Sequence, residues 1–307
     1  MASPLALTIG GPLARHAAEE AWLAVRREFE ASEAAMSRFR DSSEVTGINR
    51  AAGDGTWQGA SRRLRRALVA ADRARRVTGG LFDPRVLVAL DDLGYRGAEI
   101  GAHARSRANG DGPVVDLDRA GRLRVGSPID LGGIGKGLAL RWAADSAQRV
   151  LDVGQAAGES PDPGLLLDAG GDIVARGRGP LDGTWSIGIE DPNGAPEPLA
   201  VVALGHGAIA TSSVRRTTWE VDGRRVHHLL DPATGRPADS GLLAVTVAAA
   251  DPAWAEVWAK ALFVAGQGRV AELARGRGLA AWWVAAERTL EMTAGARAMT
   301  RWVASEA

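Results

Sequence analysis

The chain has 307 residues, of which 46% are apolar, enough for one large domain or two ordinary domains with a proper core. Its 37 basic and 37 acidic residues balance, which argues against partners such as nucleic acid or an anionic membrane. Cysteine is absent, which excludes disulfides, thiolate metal sites and a cysteine nucleophile. The most apolar region, residues 241–266, is interrupted by charged residues and a proline, so no membrane span is predicted.

The first third of the chain is predicted to be mainly helical. Residues 5–9 indicate a strand, and apolar residues at helical spacing predict a long helix from about residue 17 to about Phe39. Phe39 lies where this helix gives way to a polar loop, so it is either a core residue or part of a site. A second helix is predicted over about residues 62–78, and its arginines are interpreted as a solvated face. In the Leu-Phe-Asp-Pro turn that follows, Asp83 is either a turn former or a functional residue.

Residues 127–145 are the most informative stretch of the chain. Four of the six residues 132–137 are glycine, Lys136 lies among them, and a helical pattern follows. Glycine lets the backbone approach a ligand closely, and the first amides of a helix favour an anion. The stretch therefore predicts a phosphate site with Asp130 at its rim, the alternative being a glycine-rich turn without a ligand. Its spacing excludes both the Walker pattern and the dinucleotide pattern.

The remainder of the chain is predicted to be rich in strands. A hairpin and loop (101–126), a strand–turn–strand unit (165–174), a half-buried strand (185–189), an Asp-Gly hairpin (219–230), a strand (243–247), a helix from Pro252 and a last strand pair near 282–284 are expected. The Asp-Gly hairpin delivers His227 and His228 to a strand end. Neighbouring strand residues point to opposite faces, so only one histidine faces any given site, and a structural role is the alternative.

The last predicted helix carries Glu256 and Lys260 four residues apart. If both were exposed, this pair would contribute only about 0.2–0.5 kcal/mol to stability. No internal repeat or linker divides the chain, so one integrated α+β domain over residues 1–307 is predicted.

Six ordered motifs resemble those of the FAD:protein FMN transferases, the ApbE-like flavin transferases. They are Met-Ser-Arg-Phe-Arg-Asp-Ser-Ser-Glu-Val with Asn49; Thr-Gly-Gly-Leu-Phe-Asp-Pro; Asp-Leu-Gly-Gly-Ile-Gly-Lys-Gly; Asp-Ala-Gly-Gly-Asp-Ile; Ala-Thr-Ser followed by His-His-Leu-Leu-Asp-Pro-Ala-Thr-Gly-Arg-Pro; and Ala-Glu-Val-Trp-Ala-Lys-Ala-Leu-Phe-Val. Each motif alone is weak, but six in this order are specific, and they cover the chain from Met1 to about Gly266. The resemblance implies an ApbE-like α+β fold, a single catalytic domain of antiparallel sheets flanked by helices.

The resemblance also implies an activity and a set of site residues. The family cleaves FAD with magnesium, attaches FMN through a phosphoester bond to a Thr or Ser hydroxyl of a target flavoprotein, and releases AMP. His228 is implied as the general base and Asp231 as the residue that orients its turn. The residues implied to bind FAD are Phe39, Leu81, Phe82, Asp83, Asp130, Lys136 and Leu230. Those at the metal positions are Gly133, through its carbonyl, Glu256 and Lys260.

The metal positions depart from the family pattern. The family has aspartate and threonine or serine where this chain has Glu256 and Lys260. Glutamate can ligate magnesium, whereas a protonated lysine cannot. Lys260 either takes the cation's place and pairs with Glu256 or swings away, and both arrangements count against magnesium dependence. Ser213 and Asp168 also replace a family glycine and asparagine.

Two other functions fit the same residues. One is an FAD-binding relative without catalysis, and the other is an FAD pyrophosphatase that gives free FMN and AMP. No basic segment of an export signal is visible at the start, so a cytoplasmic protein is expected.

Overall fold

The computed structural model describes residues 4–11, 13–100, 112–155, 164–215, 217–287 and 289–304. Contacts between Cα atoms divide the chain into two compact units. Apart from Met1, unit 1 comprises Glu30–Gly135 and Thr217–Asp239, and unit 2 comprises Ala2–Phe29, Lys136–Arg216 and Ser240–Ala307.

The chain alternates helices and short strands. The helices are α1 (Arg15–Met36), α2 (Glu44–Arg50), α3 (Arg62–Val77), α4 (Leu87–Asp92), α5 (Gly135–Gln155), α6 (Pro252–Ala265), α7 (Gln267–Gly276) and α8 (Ala294–Met299), with a 3-10 turn at Pro84–Val86. The strands are β1 (Leu5–Gly10), β2 (Asp116–Leu117), β3 (Leu123–Arg124), β4 (Gly164–Ala169), β5 (Asp172–Arg176), β6 (Trp185–Ile189), β7 (Ala200–Leu204), β8 (Gly207–Ser213), β9 (Thr218–Val221), β10 (Arg224–His227), β11 (Leu230–Asp231), β12 (Arg236–Pro237), β13 (Leu242–Ala249), β14 (Ala280–Ala285), β15 (Leu290–Met292) and β16 (Thr300–Val303).

Unit 2 is built around a seven-stranded antiparallel sheet in the order β1-β4-β5-β8-β13-β14-β15. One face packs small and aliphatic side chains against α1, α5 and α6, with Val25, Leu140 and Leu167 fully buried. The other face packs against the antiparallel sheet β16-β7-β6 through a core that includes Trp185 and Trp282. The sheet therefore has a core on each side, because both sheet faces carry apolar side chains.

Unit 1 combines short helices with three two-stranded antiparallel sheets, β2-β3, β9-β10 and β11-β12. The β9-β10 hairpin turns at Asp222 and Gly223, whose φ angles are +50° and +74°. Positive φ at both central residues is what a type I′ turn requires, so the prediction of a tight Asp-Gly hairpin is confirmed. His227 ends β10, and His228 follows it directly.

The sequence predicted most of these elements. The strand over residues 5–9, the helices near 17–39 and 62–78, the Gly-Gly turn of β4 and β5, and the helix from Pro252 are confirmed, although α1 ends at Met36. The hairpin in 101–126 is confirmed as β2 and β3, while residues 101–111 lie outside the described part, as do residues 156–163 after α5. The α+β class with antiparallel sheets is confirmed; a single domain over residues 1–307 stays a prediction. No helix in the described ranges is both long and apolar enough to cross a membrane.

A buried side chain of α2 fixes the segment that carries Asp130. Asn49 donates from Nδ2 to the Ile129 carbonyl at 2.8 Å and accepts the Ile129 N–H at Oδ1 at 2.9 Å. The two residues are 80 positions apart in the sequence, so this amide pair joins distant parts of unit 1.

We expect Asn49→Ala to lower the free energy of unfolding by about 2–4 kcal/mol, because it removes two buried hydrogen bonds and leaves the Ile129 backbone unsatisfied. Urea unfolding followed by tryptophan fluorescence measures the loss. Asn193→Ala in an exposed turn is the matched control and should change stability by less than about 0.5 kcal/mol. Equal effects of the two substitutions would contradict this account of Asn49.

Candidate functional site

Arg38 is the centre of a buried cluster in unit 1. Its guanidinium donates to Asp91 at 3.2 Å and to the Tyr95 carbonyl at 2.7 Å, and its Nε lies 3.7 Å from Asp130 Oδ1. The guanidinium carbon also lies 4.5 Å from the centre of the Phe39 ring. Phe39 is 55% exposed, so it is not a core residue; its ring is presented to solvent beside a positive charge.

Tyr95 connects this cluster to the histidine of the β10 end. Its ring stacks on Trp219 at 5.2 Å and meets Phe39 edge-on at 5.6 Å. The centre of the His228 ring lies 6.4 Å from that of Tyr95. Trp219 is itself fixed, because its indole N–H donates to the Leu93 carbonyl at 2.5 Å. Unit 1 thus gathers Phe39 and His228 around one tyrosine.

The turn after α3 joins the same cluster through its backbone. The Asp130 N–H donates to the Pro84 carbonyl at 2.6 Å. The Asp83 carboxylate accepts from Arg85 at 2.6 Å and from Arg75 at 2.9 Å. Burial pushes the pKa of Asp83 upward, but the hydrogen bonds from both arginines outweigh burial and hold this pKa below its ordinary value. Asp83 is therefore ionised, and its hydrogen bonds with Arg85 and Arg75 hold the turn in place.

The other predicted residues of unit 1 occupy turns and short strands. Phe82 and Leu230 are buried, and Leu81 is half-buried. Asp231 Oδ1 accepts the Ala233 N–H at 2.9 Å, which closes the turn after β11. Gly133 is buried in the turn before α5.

Lys136 belongs to a different group of residues, in unit 2. Its ammonium lies 2.6 Å from Asp172 Oδ2, and the Asp172 side chain is almost completely buried. Asp172 Oδ1 accepts the Thr211 N–H at 3.2 Å, so β8 fixes the carboxylate that holds the lysine. The lysine side chain remains 28% exposed, which leaves its charge accessible to an anion.

Glu256, a residue of α6, is buried against the first turn of α5. Its Oε2 accepts the Gly137 N–H at 2.8 Å, and only 6% of the residue is exposed. An exposed Glu256–Lys260 pair, one possibility considered from the sequence, is therefore wrong. The Gly135 amide also has a protein acceptor, the Leu131 carbonyl at 2.7 Å. With these two amides occupied, the predicted phosphate site depends on the charge of Lys136.

Burial changes the pKa of the Glu256 carboxyl group. Burial and the nearby Asp172 carboxylate raise the pKa of Glu256 to about 8, against the opposing effects of Lys136, the Gly137 N–H and Lys260. Because the folded state then binds more protons than the unfolded state above the unfolded pKa of 4.5, stability should fall as pH rises from there toward 8.

We expect Glu256→Gln to flatten this pH dependence, because glutamine stays neutral and can still accept the Gly137 N–H. The difference in unfolding free energy between pH 5 and pH 8 should shrink by at least about 1.4 kcal/mol, the equivalent of one pKa unit. Urea titrations at both pH values provide the measurement, and Glu272→Gln on the exposed side of α7 is the control. An unchanged slope in the Glu256 variant would mean that Glu256 is ionised at neutral pH.

The residues of unit 2 do not fit a magnesium ion. In the described part of the chain, no three His, Cys, Asp or Glu side chains are grouped so that they could hold a metal. Magnesium demands a near-octahedral set of oxygen ligands, whereas Asp172 and Glu256 share their surroundings with Lys136 and Lys260.

Comparison with known proteins places the chain in a family. The family model described as the ApbE family matches residues 1–283. The chain belongs to the ApbE family. The FAD:protein FMN transferase of Treponema pallidum is 30% identical over 271 residues, which cover 79% of this chain and 70% of that protein. The FAD:protein FMN transferase of Salmonella typhimurium is 33% identical over 178 residues, covering 56% of this chain and 48% of that protein.

Solved structures of ApbE proteins share the fold. The crystal structure of the ApbE protein from Thermotoga maritima has a TM-score of 0.83 and 26% identity, covering 98% of this chain and 96% of that chain. The apo flavinyl transferase ApbE of Pseudomonas stutzeri has a TM-score of 0.73 at 24% identity, covering 97% of both chains, and shows the fold alone. The chain spans about half the length of the first curated relatives it matches.

Three residues inside or near the ApbE motifs were missed as site candidates. Arg38 and Asp172 lie within motifs that carry the resemblance. Tyr95 is the chain's sole tyrosine, in a Leu-Gly-Tyr turn without any motif signal. A charged residue between motif positions was the available signal for the first two.

Proposed function

We propose that the chain is an FAD:protein FMN transferase, which moves FMN from FAD to a Thr or Ser hydroxyl of a target flavoprotein. The observation that carries this proposal is the arrangement around Arg38, which gathers Phe39, Asp130 and the turn containing Asp83, with His228 beside Tyr95. These are four of the residues that the family resemblance assigns to FAD binding and catalysis. The relatives named FAD:protein FMN transferase support the same activity.

The proposed reaction is a phosphoryl transfer from FAD to the acceptor hydroxyl. The acceptor oxygen attacks the phosphorus of the FMN half, and a new oxygen–phosphorus bond forms. The bond from that phosphorus to the bridging oxygen breaks, and AMP leaves with the bridging oxygen. The hydroxyl proton passes to His228 as general base, a role that contributes about 10²–10⁴-fold to such reactions. The products are the phosphoester-linked flavoprotein and AMP.

The other predicted residues have supporting roles in this proposal. In this proposal FAD is contacted by Phe39, Leu81, Phe82, Leu230 and Asp130. The ring of Phe39 is available for stacking. Asp83 holds its turn through the two arginines, and Asp231 holds the turn after His228. Lys136 stabilises the negative charge that develops on the phosphates in the transition state.

Incubation of the purified chain with FAD and a recombinant flavoprotein domain carrying one acceptor threonine tests the proposal. AMP and FMN are followed by chromatography, and flavin attached to protein by in-gel fluorescence. Transfer predicts AMP and a fluorescent band that disappears when the acceptor threonine is replaced by valine. Free FMN without an adduct would support a pyrophosphatase, and bound FAD recovered intact would support a non-catalytic binding protein.

Three further points remain predictions. The target flavoprotein is defined only by its acceptor hydroxyl, and a cytoplasmic location is expected from the sequence. Magnesium at Gly133, Glu256 and Lys260 is implied by the family resemblance, but the charges of unit 2 argue against it.

A further inference from the structure

Two acidic and two basic side chains form a charge cluster in unit 2. The cluster consists of Asp172 on β5, Glu256 and Lys260 on α6, and Lys136 on α5. Two ammonium groups therefore lie among two carboxyl groups, so the acids have their counter-charges within the protein. A divalent cation in the same place would find lysine charges already present.

Three of the four carboxyl oxygens that a cation could use are already engaged. Asp172 Oδ2 lies 2.6 Å from the Lys136 ammonium in an ion pair, and Asp172 Oδ1 accepts the Thr211 N–H at 3.2 Å. Glu256 Oε2 accepts from the Gly137 N–H at 2.8 Å. A metal would have to displace a buried ion pair or a backbone hydrogen bond, and neither displacement is favourable without a replacement partner.

Lys260 brings the second positive charge to this group. It lies one helical turn after Glu256 on α6, on the same side of the helix, and it is half-buried. Its charge acts on Glu256 in the same sense as that of Lys136, stabilising the ionised carboxylate. An ammonium has three donors and no acceptor, so it can meet phosphate oxygens but cannot ligate a metal.

We propose that Lys136 and Lys260 together supply the positive charge that a divalent cation would otherwise supply, so FMN transfer by this chain needs no metal ion. The inference rests on the proposed transferase function. It assigns to Lys260 the neutralisation of charge on the pyrophosphate as AMP leaves, with the bond changes given above.

The first test compares transfer in excess EDTA with transfer in magnesium. The wild-type rate with the acceptor domain should be the same in both conditions within about a factor of two, because the lysines provide the charge. Lys260→Met should slow transfer by about 10²-fold in both conditions, while Lys260→Arg should retain EDTA-resistant transfer. Arg269→Met on the exposed start of α7 removes a charge outside the cluster and should behave like wild type.

A second measurement reads metal binding without activity. Manganese added to the FAD-free protein and followed by electron paramagnetic resonance should show no site in the wild type. The double variant Glu256→Asp with Lys260→Thr restores oxygen ligands at both positions and should bind manganese. It should also transfer FMN in magnesium but lose at least about tenfold in EDTA.

The outcomes separate the inference from the function on which it rests. Wild-type transfer that requires magnesium, or a manganese site in the wild type, would overturn the inference and leave the transferase standing. EDTA-resistant transfer that survives Lys260→Met unchanged would also overturn it. If the wild type transfers no FMN in either condition although FAD binds, the proposed function itself fails.

Discussion

Gly137→Ala is expected to destabilise the protein by about 3 kcal/mol or more, at the upper end of what overpacking costs. A Cβ at this position would lie 2.5 Å from Ala253 Cα and from the Pro252 carbonyl oxygen, and 2.6 Å from the Ala253 nitrogen. These are backbone atoms of the first turn of α6, which cannot rotate away as a side chain can. The strain should also disturb the Gly137 hydrogen bond to Glu256 and the position of Lys136.

Urea unfolding of the Gly137 variant gives this loss directly, and Gly135→Ala is the matched control. A Cβ on Gly135 would meet Leu131 Cβ at 3.8 Å, an ordinary contact. Both substitutions place alanine in the first turn of α5, where the helix gains up to about 1 kcal/mol from losing glycine. A Gly137 variant as stable as the control would refute the close approach of α5 to α6.

His228→Ala is expected to lower FMN transfer by about 10²–10⁴-fold while FAD affinity stays close to that of the wild type. The reason is that His228 is proposed to accept the proton of the acceptor hydroxyl and not to bind FAD. Single-turnover AMP release with the acceptor domain measures the loss, and equilibrium dialysis measures FAD affinity.

His227→Ala is the control for this prediction. His227 is the last residue of β10, and burial lowers its pKa, so it stays neutral at physiological pH. As its neighbour in the chain, it tests whether truncating any histidine of the hairpin is damaging. Equal losses from both variants would point to the hairpin fold, and a loss of FAD binding in the His228 variant would make His228 a ligand contact.

Local sequence patterns predicted the elements whose cause is local. The turn at Asp222 and Gly223 needs two residues that tolerate positive φ, and aspartate and glycine both do. α6 begins at Pro252 with Asp251 as its N-cap, and the cap accepts the Ala253 and Trp254 amides. The alternation of Trp185, Ile187 and Ile189 matches a strand with one buried face.

The partners of the charged side chains could not be predicted, because they are distant in the sequence. Arg38 meets Asp91 and Asp130, and Lys136 meets Asp172, only after the chain has folded. Glu256 looked like one half of an i,i+4 surface pair, yet its actual partner is the Gly137 amide, 119 positions away. Periodicity shows which helix face is apolar, but not which polar group another helix will bury.

The register of the central sheet has a consequence for the order in which the protein folds. Among the described strands, β1 pairs with β4 alone, with Leu5 opposite Ala169. During synthesis β1 therefore leaves the ribosome long before β4, and until β4 has been made it has no backbone partner among the described strands. Contacts of such high sequence separation form slowly, so this edge of the sheet should close late, after the helices and the β4-β5 hairpin have formed.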